Sequence, residues 1–533
     1  MPADFTFRTE SIHPTEILSH YADTRVDREI VDALKSRDLC LVEGSRGVGK
    51  SMLLRVAEAE LNEGLSADTV LPVYVSLDRV ALLNTANEAE VRQYVLARLA
   101  RQIVRAVRKR GLTATVAPQI QLLGGVPDGA PGPVDAIVER FEASVFEFND
   151  HARVDVSGLP EAAEIRDACE DLCEAADLRR VVAFFDEAVH TLRTDQQREF
   201  FPLVRDLNSP TLTCHAAVYP GVTNYGAFDP SQDARRLSLD RDVESADYAD
   251  HMREIVSHHA TAVEADAEKN PEAFESLAYA ATGNPRVLLK TLALRPRLNA
   301  RNARTAIKEY YRDTIWADHD RLAERYPGHR ALINWGRDWV LGRLVPALVE
   351  RNQDALADDG ATSRYFWVQH GADPTVAEGL RLLTYTGVLS RGPDVVATRN
   401  WLGTRYALNL GVLFNALNVT PEMAVQVARR LSVSEMVLFG KDHPHLDPVS
   451  GPDALPPAPE RADMLAGLLQ RPVSDLDLTA WQKRKLVESG RDTVEAVLVA
   501  TEEDLQQIYQ VGPVRSKQMR RAAQAAIVEY LSG

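Results

Sequence analysis

The 533-residue chain predicts an α/β protein whose first part is a parallel sheet, followed by helix-rich regions. Three observations carry this. The apolar run Leu39-Cys40-Leu41-Val42 leads through a glycine-rich loop into the helix-compatible Met52-Leu53-Leu54-Arg55-Val56. A second run, Val181-Val182-Ala183-Phe184-Phe185, is continuously apolar, as a parallel strand buried on both faces must be, and it ends in Asp186-Glu187. Further strand-like runs at 70–77 and 212–219 alternate with helical stretches, which is the order of a parallel α/β sheet.

The loop between the first strand and helix is Gly44-Ser45-Arg46-Gly47-Val48-Gly49-Lys50-Ser51, a full GxxxxGK[ST] pattern. Its glycines (Gly44, Gly47, Gly49) let the backbone curl so that N–H groups point at a β-phosphate. Lys50 reaches the β and γ oxygens, Ser51 can ligate Mg²⁺, and the helix opening at Lys50-Ser51-Met52 adds a favourable dipole. The acidic strand end complements it: Asp186 can hold the hydrated Mg²⁺, and Glu187 can orient the attacking water. The alternative for Asp186-Glu187 is a strand that ends in two solvated acids.

The next segment, about 112–160, contains Gly124-Gly125, Gly129, Gly132 and Pro127, Pro131 and Pro133, and reads as an inserted loop or hairpin. Before it, residues 91–110 hold seven basic side chains and no acid. Arg98, Arg101, Arg105 and Arg108 recur at helical spacing opposite Val95, Leu99, Ile103 and Val107. This is either a solvated helix face or a basic stripe for phosphate backbones or an acidic neighbour.

Beyond residue 219 the chain turns helical and polar. In Ala280-Ala281-Thr282-Gly283-Asn284-Pro285-Arg286, Gly-Asn-Pro makes a sharp helix-to-helix turn, because Pro285 suits a first helical position. Later, helical stretches at 331–351 and 375–385 precede Leu389-Ser390, a Gly-Pro-Asp turn at 392–394 and an aromatic run through Trp401 and Tyr406, which predicts a hairpin. Six prolines in 444–459 mark an extended linker. Residues 462–533 read as four short helical pieces with two related stretches, Leu476 to Gly490 and Leu505 to Lys517.

Composition bounds the rest. The formal charge of −16 disfavours the whole surface as a nucleic-acid clamp, but residues 464–533 hold nine basic and nine acidic side chains and are neutral. No run of about 18 apolar residues exists, so no membrane span is expected. The start lacks a basic region followed by an apolar stretch, so no export signal is read and a cytoplasmic location is expected. Four cysteines with no CxxC pair point to a reducing compartment, with Cys169 and Cys173 as buried packing.

The loop at 44–51, Asp186-Glu187 and Gly283-Asn284-Pro285-Arg286 together resemble AAA+ ATPases of the origin-recognition and initiator type, and the related signal-transducing NTPases with numerous domains (the STAND kind). The resemblance covers about residues 21–420. It implies ATP and Mg²⁺ as ligands, with Lys50, Glu187 and Arg286 as catalytic groups. Arg286 matches the sensor-2 arginine of a helical lid. The turn after residue 219 lies where sensor 1 would be, which makes Thr223 or Asn224 its polar group. Arg235 and Arg236 lie where this clade often has an arginine acting across a subunit interface. Tyr21-Ala22-Asp23-Thr24-Arg25 lie where such ATPases contact adenine.

Residues about 311–420 resemble a winged helix, with Arg391, Arg399 and Arg405 on the wing; such domains bind DNA or serve only as packing modules. The C-terminus resembles tandem helix-hairpin-helix domains and the C-terminal domain of the RNA polymerase α subunit. That likeness makes Gly512, Val514, Arg515 and Lys517, with Arg520 and Arg521 beyond, candidates for grasping one DNA phosphate. Glu488-Ser489-Gly490-Arg491 lacks the second glycine of such a hairpin, so only one grasping hairpin is expected. The alternative is a protein-binding module of the same fold.

The expected domains are a P-loop ATPase core at 1–230, a helical lid at 231–310, a winged-helix-like domain at 311–440, a linker at 441–461 and a helix-hairpin-helix-like domain at 462–533. The expected function is an ATP-hydrolysing switch or motor acting on DNA, in bacterial DNA maintenance or mobile-element defence, with a homo-oligomer or a protein partner as further options. The alternative is a STAND-like signalling or scaffold ATPase whose C-terminal domains hold protein partners.

Overall fold

A computed structural model of the chain describes residues 9–63, 70–77, 88–144, 155–188, 194–220, 223–239, 241–295, 297–325, 329–398, 401–446, 470, 472–476 and 478–532. The first part is a five-stranded sheet built from β1 (Cys40–Glu43), β2 (Val70–Ser76), β3 (Arg180–Asp186), β4 (Leu212–Val218) and β5 (Arg235–Ser238). Its order is β2-β3-β4-β1-β5, and every pairing is parallel. The strand bearing the acids is therefore not beside β1; β4 lies between them. Every residue of β3 and of β4 is buried.

Residue alternation along β3 divides its side chains between two faces. Val182 and Phe184 join the core beneath α1 (Arg25–Leu34) and α2 (Lys50–Glu63). Val181, Ala183 and Phe185 join the core beneath α3 (Glu88–Lys109) and the helices Ala162–Ala175 and Thr194–Leu207. Cys169 and Cys173 are buried in that second core, as packing residues.

The inserted segment is helical, with helices at Ala117–Leu122 and Pro133–Ser144, not a loop or hairpin. Its glycines and prolines separate the helices and do not prevent them. Gly132 is required by close approach, because a Cβ there would lie 2.6 Å from the Gly124 carbonyl oxygen. Val134, Ile137, Val138 and Phe141 bury the second helix in the core that α3 shares.

This packing fits neither reading of the basic stripe, because most of its arginines are held within the chain. Arg98 donates to Glu142 at 3.0 Å and to the Ser76 carbonyl at 2.6 Å. Arg101 donates to Asp135 at 2.8 Å, and Arg108 to the Val126 carbonyl at 2.8 Å. Three of the four arginines serve the chain's own insertion; Arg105 is exposed.

The helices Tyr248–His259, Thr261–Lys269, Pro271–Ala281, Pro285–Leu294 and Ala300–Glu309 make up the region expected as a lid. The last runs through a π-helical stretch, Tyr310–Thr314, into Ile315–Asp320. The boundary expected at 310/311 thus falls inside a continuous helical run. Lid residues such as Phe274, Leu277 and Leu288 share one apolar cluster with Trp339, Phe366, Leu408 and Phe414 of the following region.

That region carries a four-stranded sheet of β6 (Tyr365–Gln369), β7 (Leu389–Thr398), β8 (Trp401–Leu408) and β9 (Val437–Phe439), in the order β7-β8-β6-β9. The helix Pro374–Tyr385 connects β6 to β7. The sequence placed a turn at 392–394, but these residues lie within β7, where the register to β8 shifts between Arg391 and Val395. Pro393 cannot donate to a ladder, so it sits at a bulge and the strand continues past it. The Trp339 indole donates to the His445 carbonyl at 2.7 Å and Leu446 is buried, so the expected linker at 441–461 begins with packed residues. Residues 447–461 lie outside the described residues.

The C-terminal module has helices at Ala480–Glu488, Val494–Val499, Glu502–Gln506 and Pro513–Ser532. Thr479, Thr493 and Thr501 cap the first three by accepting from Gln482, Ala496 and Asp504 N–H groups.

Candidate functional site

Gly47 and Gly49, at φ +89° and +112°, give the loop after β1 its curl in the left-handed region that glycine tolerates. Gly47 also has no room for a side chain: a Cβ would meet Asn284 Oδ1 at 2.8 Å and Arg286 Cβ at 3.0 Å. Lys50 opens α2 and is buried. Its Nζ donates to the Gly44 and Ser45 carbonyls at 2.8 and 3.0 Å and lies 3.7 Å from the centroid of the Tyr219 ring.

At the end of β3, Asp186 is buried and its carboxylate takes two donors, the Tyr74 hydroxyl and the Glu187 N–H at 2.9 Å. Arg55 packs over Tyr74, with Cζ 3.3 Å from the ring centroid. Glu187 has φ +63°, a left-handed conformation that a non-glycine residue adopts at a cost of about 1–3 kcal/mol. Such strain persists only where the surroundings hold it, and Glu187 lines the cavity described below.

The lid's Gly-Asn-Pro-Arg turn grips the loop. Thr282 and Gly283 take positive φ, and Asn284 caps the helix Pro285–Leu294 by accepting from the Val287 N–H at 3.2 Å. The Asn284 Nδ2 donates to the Arg46 carbonyl at 2.7 Å, and the Arg286 N–H to the Gly47 carbonyl at 3.4 Å. From below, Arg241 donates to the Val48 carbonyl at 2.7 Å and to both Asp27 oxygens at 2.9 Å. Both side chains of that pair are buried, at 8% and 4% exposure.

Of these, Gly47, Gly49, Lys50, Glu187, Tyr219, Arg241 and Arg286 line one cavity with Ser51, Met52, His20, Tyr21, Ala22, Ile255, His259 and Leu289. Burial, with His20 and His258 nearby, pushes His259 down to about 4, so its ring is neutral at pH 7. Burial, followed by the charge of Glu187, pushes the Tyr219 hydroxyl well above its ordinary range, so it keeps its proton.

Of the residues singled out in the sequence, Gly47, Gly49, Lys50, Ser51, Met52, Glu187 and Arg286 meet in this cavity. Gly44 lies beneath the loop, packed on Leu239, and supplies a carbonyl to Lys50. Asp186 lies beside Glu187, behind the cavity wall. Tyr21 and Ala22 also line the cavity, whereas Thr24 caps α1 by accepting from Asp27 N–H. The Ser51 hydroxyl and Asp186 carboxylate are hard oxygen donors of the kind Mg²⁺ takes, and the glycine curl with Lys50 fits a nucleotide's phosphates.

Thr223 is not brought to the cavity. Its hydroxyl accepts from the Tyr219 N–H at 3.2 Å and donates to the Tyr219 carbonyl at 2.7 Å, closing the turn after β4. Asn224 likewise engages Gln197 and Gly226. The residue after β4 that does face the cavity is Tyr219, the last of the apolar run 212–219. Arg235 and Arg236 lie on the edge strand β5, and Arg236 donates to this chain's own Glu43 at 3.1 and 2.5 Å.

The C-terminal candidates Gly512, Val514, Arg515 and Lys517 are exposed at the start of the helix Pro513–Ser532, with Val514 at 70%. Arg515 donates to the Gln510 carbonyl at 2.7 Å and stands 4.8 Å from the Trp481 ring centroid. On the β7–β8 hairpin, Arg391 is exposed, Arg405 stands 5.9 Å from the Tyr365 ring centroid, and Arg399 lies outside the described residues. Among the described residues, no helix is long and apolar enough to cross a membrane.

The five parallel strands and the glycine loop that joins β1 to α2 form a P-loop NTPase fold. No protein-family model and no curated relative matches the sequence. Among solved structures, the Walker-type ATPase paby2304 of Pyrococcus abyssi aligns at 16% identity over 78% of this chain and 98% of that one, with a TM-score of 0.38. The Aeropyrum pernix ORC1 protein in complex with DNA aligns at 16% identity over 76% and 92%, with a TM-score of 0.30. Likenesses this low carry no argument about what this chain does.

Proposed function

We propose that the chain is an ATP-binding and hydrolysing switch of the AAA+ origin-recognition type that acts on DNA. The observation that supports the ATPase reading is the convergence of Lys50, Ser51, Glu187 and the lid's Arg286 on one cavity at the ends of parallel strands. Lys50 leaves the Gly44 and Ser45 carbonyls for the β- and γ-phosphate oxygens. Ser51 and Asp186 would hold Mg²⁺, which supplies positive charge to the phosphates when bound. Glu187 orients a water in line with the γ-phosphorus and takes its proton. The bond to the bridging oxygen breaks, leaving ADP and inorganic phosphate, while Lys50 and Arg286 offset the developing charge.

Glu187→Gln keeps the size of the side chain and removes the base. Turnover of ATP falls at least about a hundredfold, measured as phosphate release; unchanged turnover would remove this mechanism. The DNA role draws support from the exposed Gly512 turn with Arg515 and Lys517. Duplex DNA is expected to stimulate hydrolysis by the intact chain, less so as salt rises.

One observation favours a second reading, a signalling ATPase whose C-terminal domains hold protein partners. The basic stripe of α3 is largely taken up inside the chain, and the protein is acidic overall, with a formal charge of −16. Absence of DNA binding at low salt would favour it.

A further inference from the structure

The sheet order puts β4 between the loop strand β1 and the acid strand β3. With strands about 4.8 Å apart, the residue that follows β4 must stand between Lys50 and Asp186-Glu187. That residue is Tyr219, a buried aromatic ring, and the Lys50 ammonium lies 3.7 Å from its centroid.

Tyr219 has a second aromatic neighbour. The ring of Tyr385 stands 6.4 Å away, centroid to centroid, tilted by 58°, which is within the range of an attractive ring pair. Tyr385 is the last residue of the helix Pro374–Tyr385, which connects two strands of the second sheet. That region shares its apolar cluster with the lid. The body formed by lid and second sheet therefore touches the phosphate site through Asn284 and Arg286 on the loop and through Tyr385 on Tyr219.

We propose that Tyr385 is a positioning residue for the nucleotide site, acting through Tyr219 on Lys50, so that the helix Pro374–Tyr385 senses the γ-phosphate. This rests on the reading of the cavity as an ATP site. Here the Lys50 ammonium is held by two backbone carbonyls and the Tyr219 ring. A γ-phosphate draws that charge off the ring face and so changes the surface Tyr385 packs on. The coupling is reciprocal: whatever moves the helix changes the preference of Lys50 for the phosphate.

The test compares the intact wild-type chain with Tyr385→Ala and Tyr385→Phe. Equilibrium affinities for ATP and ADP are read with fluorescent analogues, and kcat and KM from phosphate release. Tyr385→Ala changes the ratio of ATP to ADP affinity roughly two- to tenfold, the scale of one aromatic contact. Tyr385→Phe keeps the ring and restores the wild-type ratio. A wild-type ratio and kcat in Tyr385→Ala would overturn the proposal, as would an Ala variant that loses thermal stability while its ratio stays fixed. Binding is read without turnover. A wild-type chain that binds both nucleotides but hydrolyses neither would refute the hydrolysis and leave the relay to be judged by its ratio.

Discussion

Around the P-loop cavity, side chains far apart in sequence hold one another, whereas the C-terminal module is tied by short-range helix caps and by contacts of intermediate span, such as Gln482 to Gln518 and Arg515 to Trp481. Arg241 reaches Asp27 across 214 residues, and Asn284 reaches the Arg46 carbonyl across 238. In the module, Thr479 pairs with Gln482, Thr501 with Asp504, and Lys485 with Glu488. The cleft's geometry is thus a tertiary property that fails as a unit. The exposed residues Gly512, Val514, Arg515 and Lys517 face solvent, so a side chain lost there costs less than one lost from the cleft.

The largest expected effect lies in the buried pair beneath the loop. Asp27→Ala leaves the Arg241 guanidinium buried without its counter-charge, which costs about 3–5 kcal/mol of stability. Chemical denaturation of the intact chain checks this. Replacing both partners by apolar residues, as in Asp27→Leu with Arg241→Met, recovers most of the stability. It does not recover ATP affinity, because the donor to the Val48 carbonyl is gone. A double variant that binds ATP normally would show that the loop needs no brace.

Next in size is a contrast inside the loop. Gly47→Ala places a Cβ within 2.8 Å of Asn284 Oδ1 as well as forcing a positive φ, and costs about 1–3 kcal/mol with loss of ATP binding. Gly49→Ala carries the same backbone strain, but its nearest atom is Arg241 Nη2 at 3.9 Å. It is expected to retain more affinity, as titration calorimetry would read. Equal losses would mean that the lid does not press on Gly47.

These contrasts also mark how far the sequence could be read. The loop, the acid-tipped strand and the Gly-Asn-Pro-Arg turn were legible because each is a local pattern whose chemistry follows from its own residues. Tyr219 was not, although it closes the apolar run, because its role comes from β4 lying between β1 and β3. Thr223 looked the better polar group and is spent on the turn it closes. Arg241 and Asp27 carry no local signal at all. The insertion's glycines suggested a loop, yet Gly132 is there for a backbone contact with Gly124, which sequence alone does not show.

A smaller effect separates the two regions by pH. Burial holds His215 down to about 3 and His259 down to about 4, both below the ordinary 6.5. The unfolded chain then binds more protons between these values. The stability contributed by the neutral rings is complete above about pH 6.5 and is lost as pH falls toward 4 and 3. Residues 462–533 contain no histidine, so the module has no such term in that window. Protection factors, which correct for the intrinsic exchange rate at each pH, should therefore fall in the core strands between pH 7 and 5, with no matching fall in the helix Pro513–Ser532.

The smallest expected effect on stability is also the one that tests the module's function. Arg515 is exposed, held by the Gln510 carbonyl and the Trp481 ring, so Arg515→Ala changes stability by no more than about 0.5 kcal/mol. If its guanidinium neutralises a DNA phosphate, the same change lowers the slope of log affinity against log salt by about 1 and weakens all duplex sequences alike. A weakening confined to particular sequences would mean that Arg515 reads bases. An unchanged slope would place the phosphate contact elsewhere, with Lys517 the next side chain to replace. Because Arg515 is exposed and its replacement leaves stability nearly unchanged, either result reports on the missing cation, which the braced Arg241–Asp27 pair would not permit.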